Sequence, residues 1–464
     1  MTATADTELE QHGELKRTIT GRLLFFYVLG DVLGSGIYVL IGAVAAAVGG
    51  AFWIAFAIGI SVATLTGLAY AELVTKYPRA AGASLYVNRA FGRPALTFLV
   101  TTAMLSASFA AAGSLAAGFS SYFAEVWSLP PALLVSLLFI LALAVVNFVG
   151  ITESVVANLV MTVVEVSGLV IVMVVGVIQV ARGDAHVGVL TDFTAEGSPV
   201  LAIVSGVALG FFAMTGFENA ANVAEECVEP RRTFPRALVG GMAGAGLIYV
   251  AVAVAAAITV PIDQLAASPA ALLEVVESGL LPLPVGFWTI AFALIAMTAI
   301  TNTTLVAVVT QSRILYGMAR EDVVPGVFAR LHRDRRSPWV GLVFSAVVVC
   351  GLLVVGTVLD RVGSGLDLVT RLAAVTVVLL LFVYAMVIVS ALRLRGQDES
   401  DETFRAPLPA LVLGILGNAV LLGYVVYDDP WSLVWCAGLL GLGLLLFVLE
   451  RTLGTRDRAP ATTP

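Results

Sequence analysis

Twelve stretches of this chain are long and apolar enough to cross a lipid bilayer, and this constrains the fold more than any other feature. A spanning helix needs about 20 mostly apolar residues. Such stretches run near 22–48, 51–75, 95–121, 131–149, 155–180, 199–221, 236–260, 284–318, 338–358, 364–392, 406–427 and 431–450. Charged residues make up 12% of the chain, against about 25% in soluble domains. That is too few to cover a water-facing surface, so the bilayer is the expected solvent. The sequence therefore predicts an all-α integral membrane protein with twelve transmembrane helices.

Loop charge tests that count, because cytoplasmic loops are enriched in Lys and Arg. With the N-terminus inside, 22 of the 25 basic residues fall in inner segments, and Arg182, Arg361 and Arg371 fall outside or near an outer end. One missed span would scramble this segregation. Both termini are thus expected in the cytoplasm and the protein in the cell membrane. Residues 1–20 read as a retained cytoplasmic tail and 451–464 as a second one; the run from Leu23 to Val48 is too long for a signal-peptide core. The inner loop at 150–154 carries no basic residue. The inner loop 76–94 reads as an amphipathic hairpin lying on the membrane surface, and the outer loop 261–282 as room for a short helix over the pore. The run from Arg330 to Arg336 suits contact with anionic membrane lipids.

Several function classes drop out. A net charge of −7 does not suit a nucleic-acid partner, which needs a basic face. Cys227, Cys350 and Cys436 lack disulfide or zinc spacing and read as packing residues. His12, His186 and His332 lie in tails or loops, and no metal site is expected. No phosphate-binding Gly-rich loop is present, so the chain itself is no ATPase. Neither a nucleophile nor a cofactor site is evident, so no enzyme is expected.

Two spans carry glycines at mid-membrane. The first reads Gly30-Asp31-Val32-Leu33-Gly34-Ser35-Gly36-Ile37-Tyr38, and the sixth Gly210-Phe211-Phe212-Ala213-Met214-Thr215-Gly216-Phe217-Glu218. An offset of five spans reverses orientation, the pattern of secondary transporters with paired discontinuous helices. Taken alone, Gly34-Ser35-Gly36 would more often be a helix-packing cluster. An unwound turn there would free amides that suit a carboxylate, and freed carbonyls around 211–216 would suit an ammonium group. Together these are the needs of an amino acid zwitterion.

The chain resembles the amino acid–polyamine–organocation (APC) family, most of whose members are amino acid permeases. The resemblance rests on Gly34 to Tyr38, on Gly216-Phe217-Glu218, and on Ala224-Glu225-Glu226 with Pro230-Arg231 and Pro235-Arg236. It extends to Tyr77-Pro78 through Gly92 and to Arg313 through Ala319. It implies the LeuT-like fold of five-plus-five inverted repeats with two trailing helices. The repeats would cover 21–180 and 198–392, and the trailing pair 406–450. It also implies alternating access, with discontinuous first and sixth spans. Residue by residue, the break at Gly34, Ser35 and Gly36 would hold the substrate carboxylate on the Ser35 and Gly36 amides. Carbonyls of Val32, Phe212 and Thr215 would face the amine, beside Ala213. Phe212 stands where the family often has an aromatic gate, and Met214 is a candidate for side-chain selectivity.

Asp31, Glu165 and Glu218 lie inside predicted spans. A buried charge in the bilayer is costly, so such acids face a cavity, pair, or carry a proton. All three are candidates for coupling to protons, and each has a structural alternative as a hydrogen-bonding support. The resemblance places Glu165 about where several proton-coupled relatives carry a lysine, a departure in this chain. The rival coupling ion is sodium, with Thr301, Asn302, Thr303 and Thr304 as oxygen ligands, although such threonines commonly bond back to their own helix. The expected function is proton-coupled transport of amino acids. Polyamine transport, exchange, a channel and a non-transporting sensor are the alternatives.

Overall fold

Ten of the twelve apolar stretches fold as unbroken helices, and the first and sixth do not. The structure is a computed structural model, and it describes residues 19–78, 82–149, 155–193, 198–320, 323–333, 335, 337–361, 367–397 and 403–453. The tails and the loop at 150–154 in the sequence reading fall outside those residues, apart from short stretches at the tail edges.

The first span is α1 (Gly21–Leu33) and α2 (Gly36–Val48), bent by 45° at a two-residue break. There follow α3 (Trp53–Lys76), α4 (Gly82–Phe91), α5 (Pro94–Val126), α6 (Ala132–Val149) and α7 (Val155–Arg182). The sixth span starts as α8 (Pro199–Gly210), tightens to 3-10 geometry over Phe211–Met214, and resumes as 3-10 helix over Phe217–Glu226. Next come α9 (Pro230–Thr259), α10 (Ile262–Ala267), α11 (Ala271–Val276), α12 (Val285–Arg320), α13 (Trp339–Leu359), α14 (Leu368–Arg393), α15 (Leu408–Asp428) and α16 (Trp431–Leu453). Among the described residues, eleven helices are long and apolar enough to cross a membrane, and the bent pair makes a twelfth span. The expected all-α membrane fold is therefore observed.

Packing follows the five-span offset. The two halves of the first span pack on α9 and α8, α3 packs on α9, and α5 packs on α12 and α14. The N-terminal edge adds a tie: Ile19 N–H donates to the Glu226 carbonyl at 2.9 Å, and Val228 N–H donates to the Ile19 carbonyl at 2.8 Å. The start of the first span is thus fastened to the end of the sixth.

Two loops differ from expectation. The segment 76–94 is no surface hairpin: α4 buries Ala83, Tyr86 and Val87 fully, and it packs against α5 and α14. Its apolar face meets protein instead of lipid. The loop 261–282 holds two short helices in place of one, α10 and α11, and both pack on α2.

The C-terminal end of α3 holds the connection between α14 and α15. Glu72, 4% exposed, receives two bonds from Arg395, from Nε at 3.1 Å and Nη2 at 2.9 Å. The Ala406 amide donates to the same carboxylate at 2.9 Å, and the Phe404 amide donates to Thr75 Oγ1 at 3.1 Å. Removing the carboxylate takes two bonds from Arg395 and leaves the buried Ala406 amide without this acceptor. Glu72→Ala should therefore lower stability by about 1–3 kcal/mol, measured as an earlier thermal transition of detergent-purified protein; an unchanged transition would show that the clamp contributes little.

Candidate functional site

The two breaks face each other, and each glycine has a distinct job. A Cβ on Gly36 would lie 2.4 Å from the Ala213 Cα, and a Cβ on Gly216 would lie 2.7 Å from the Asp31 carbonyl oxygen. Gly216 also has φ of +116°, a region that side chains rarely tolerate. None of the glycines in Gly34-Ser35-Gly36 has a positive φ. Their role here is close approach, as in the packing reading, while the conformational need falls on Gly216. Gly34 makes room for α12, since a Cβ there would lie 3.0 Å from Thr303 Oγ1.

Between the breaks is a cavity of about 110 Å³. One water needs only about 10–15 Å³ on this measure, so a solute of several non-hydrogen atoms fits. Its wall brings together Asp31, Val32, Gly34, Ser35 and Gly36 from the first span with Phe212, Ala213, Thr215 and Glu218 from the sixth. Met214 is not on that wall; its thioether lies against α3, where a Cβ on Gly59 would be 2.5 Å from the sulfur. Glu165 is likewise off the wall.

The acids of the cavity are built in by hydrogen bonds. Glu218 Oε2 accepts from the Gly216 amide at 2.9 Å and from the Tyr384 hydroxyl at 2.8 Å. Asp31 Oδ2 accepts from Asn219 Nδ2 at 3.1 Å. Among the described residues the cavity wall has no Lys, Arg or His, so no basic side chain there pairs with the two acids. Glu165 is fully buried on α7. The Asn302 side chain faces it, yet neither carboxylate oxygen completes a hydrogen bond of ordinary geometry. Its backbone carbonyl accepts from the Tyr38 hydroxyl at 2.6 Å.

Two of the three carbonyls expected to face an amine, those of Val32 and Phe212, already have partners. Tyr249 on α9 places its hydroxyl against the Val32 carbonyl and 2.7 Å from the Ala213 carbonyl. One hydroxyl proton serves both, so this residue bridges the two breaks. The Phe212 carbonyl accepts from Thr215 Oγ1 at 2.8 Å. A carbonyl oxygen carries two lone pairs, so an ammonium group can still bind. Thr301 and Thr304 bond back to Met297 and Ile300 at 2.7 Å, while Thr303 points into the cavity.

Tyr249, Tyr384 and Asn219 escaped the sequence reading. The tyrosines interrupt apolar runs with a single polar tip, which is a weak signal. Asn219 follows Glu218 directly and could have been flagged with it.

A many-span bundle with two broken helices around a solute-sized cavity is the architecture of a membrane transporter. A profile of the amino acid permease family matches residues 21–445. The chain belongs to that family, as the APC resemblance implied. The chloroplastic cationic amino acid transporter 9 of Arabidopsis thaliana is 29% identical over 66% of this chain, a match that spans 55% of the relative's length. The branched-chain amino acid permease BcaP of Bacillus subtilis is 24% identical over 94% of this chain and 93% of its own. The methylthioribose transporter of the same bacterium is 24% identical over 94% and 93%. The protein is accordingly a transporter and no enzyme.

Proposed function

We propose that this permease carries amino acids across the cell membrane by alternating access, driven by protons. The observation that supports it best is the cavity itself. Gly34, Ser35 and Gly36 of one break line the same cavity as Phe212, Ala213 and Thr215 of the other, and two acids stand on the wall. A zwitterion has complementary poles, and its transfer with a proton gives the buried acids a reason to be there. The positions Val32, Gly34, Ser35, Gly36, Phe212, Ala213 and Thr215 form the substrate site on this reading, with Met214 behind it. Asp31 and Glu218 are the proton candidates within the cavity. Glu165 is the candidate outside it, where a bound proton would remove the cost of burying an unpaired carboxylate. The repeats cover 21–180 and 198–392, with the last two spans appended and both termini cytoplasmic, in line with the segregation of Lys and Arg.

The names of the relatives point to cationic amino acids, branched-chain amino acids and methylthioribose, so the substrate is chosen by experiment. A thermal-shift screen of purified protein against the amino acids and common polyamines identifies it. Reconstituted protein should then accumulate the labelled substrate under an inward proton gradient and lose that accumulation with a protonophore. Asp31→Asn or Glu165→Gln, at least one of the two, should retain substrate counterflow and lose gradient-driven accumulation. Full accumulation by both variants would remove the main support for coupling through these acids, and dependence on sodium would replace the proton.

A further inference from the structure

Three threonines sit close together on α12, and one of them behaves differently. Thr301 and Thr304 close bonds of 2.7 Å to their own helix. Thr303 stretches to 3.4 Å from the Ala299 carbonyl, and its oxygen accepts from the Ser35 amide at 3.2 Å. Gly34 is what lets it approach, since a Cβ there would stand 3.0 Å from Thr303 Oγ1. Thr303 and Ser35 both line the cavity. The Ser35 hydroxyl, fully buried, has no protein partner among the described residues. The break thus offers one unpartnered hydroxyl and one amide that a neighbouring span already holds.

We propose that Thr303 is a positioning residue that occupies the Ser35 amide until a substrate carboxylate displaces it. The inference rests on reading this break as the carboxylate site. A bond from an amide to a carboxylate is roughly twice as strong as one to a neutral hydroxyl, so the exchange favours the substrate. The released Thr303 hydroxyl then shortens its bond to the Ala299 carbonyl, as its neighbours do. The exchange also cuts the hydrogen bond between the first span and α12, so the carboxylate itself loosens the contact between the two helices. Thr303 therefore competes with the carboxylate for the amide, and deleting its oxygen should strengthen substrate binding.

That sign separates this role from the others. A threonine that donated to the substrate would weaken binding when removed, and a purely structural one would leave it unchanged or impair it together with folding. Binding to purified protein is measured for the twenty L-amino acids and for the amine that decarboxylation of the tightest binder would leave. Thr303→Val and Thr303→Ala should bind that amino acid about fivefold more tightly than wild type, the worth of one neutral hydrogen bond. Affinity for the amine should not change, and Thr303→Ser should match wild type. Weaker or unchanged amino acid binding in a folded Val or Ala variant overturns the proposal. If wild type binds the amine as tightly as the amino acid, or binds none of the amino acids, the carboxylate site itself fails and this role with it.

Discussion

Gly36→Ala is expected to abolish uptake while leaving the chain inserted in the membrane. The added Cβ would stand 2.4 Å from the Ala213 Cα and 2.8 Å from its Cβ. The atom it meets first belongs to the backbone, so no side-chain rotation relieves the clash. One broken span must move away from the other by about an ångström to restore ordinary contact at roughly 3.5–4.0 Å. Overpacking of this kind costs about 1–3 kcal/mol, and it falls where Tyr249 bridges the two breaks. Cavity shape and hydrogen bonding therefore change together, and uptake should fall by more than about tenfold. Gly351→Ala on α13 is the control, because a Cβ there meets nothing within 4 Å. Near-normal uptake by Gly36→Ala at equal membrane abundance would show that the breaks need not lie this close.

The second large effect is expected at Glu218, where two substitutions separate support from proton carriage. Glu218→Ala removes the oxygen that accepts from both the Gly216 amide and the Tyr384 hydroxyl. The buried Tyr384 hydroxyl loses its partner at a cost of about 1–3 kcal/mol, and the half-buried Gly216 amide loses its own. The Gly216 backbone, held at φ of +116°, loses its cap, and neither uptake nor counterflow should remain. Glu218→Gln is the informative partner. Its amide oxygen has two lone pairs and can accept both bonds, but the side chain no longer exchanges a proton. Counterflow of labelled substrate should then persist while accumulation driven by a proton gradient disappears. If Glu218→Gln accumulates substrate as wild type does, Glu218 is a structural cap and coupling passes to Asp31 or Glu165.

Much of the architecture was legible in the sequence because the bilayer imposes local rules. A helix that crosses hydrocarbon must be long and apolar, so the apolar runs foretold the observed spans to within a few residues, except that α5 runs on to Val126, five residues past the predicted 121, and α9 begins at Pro230, six residues before the predicted 236. Proline suits the first helical turn, where its missing N–H costs nothing, and the apolar count cannot see that. The break in the first span was also legible, since a glycine cluster at mid-membrane needs either a neighbour or a ligand. What the sequence could not decide was which of those each glycine served. Gly36 lies against Ala213 and Gly216 against Asp31, pairs far apart along the chain. Likewise, three threonines close together on one helix look equivalent in sequence, and only the position of the first span makes Thr303 the one that reaches Ser35. Met214 turned toward Gly59, and Glu165 toward Asn302, for the same reason. Hydropathy and length are set by the solvent and can be read residue by residue. Close approach, cavity lining and hydrogen-bond partnership depend on where distant segments come to rest, and only the tertiary structure decided them.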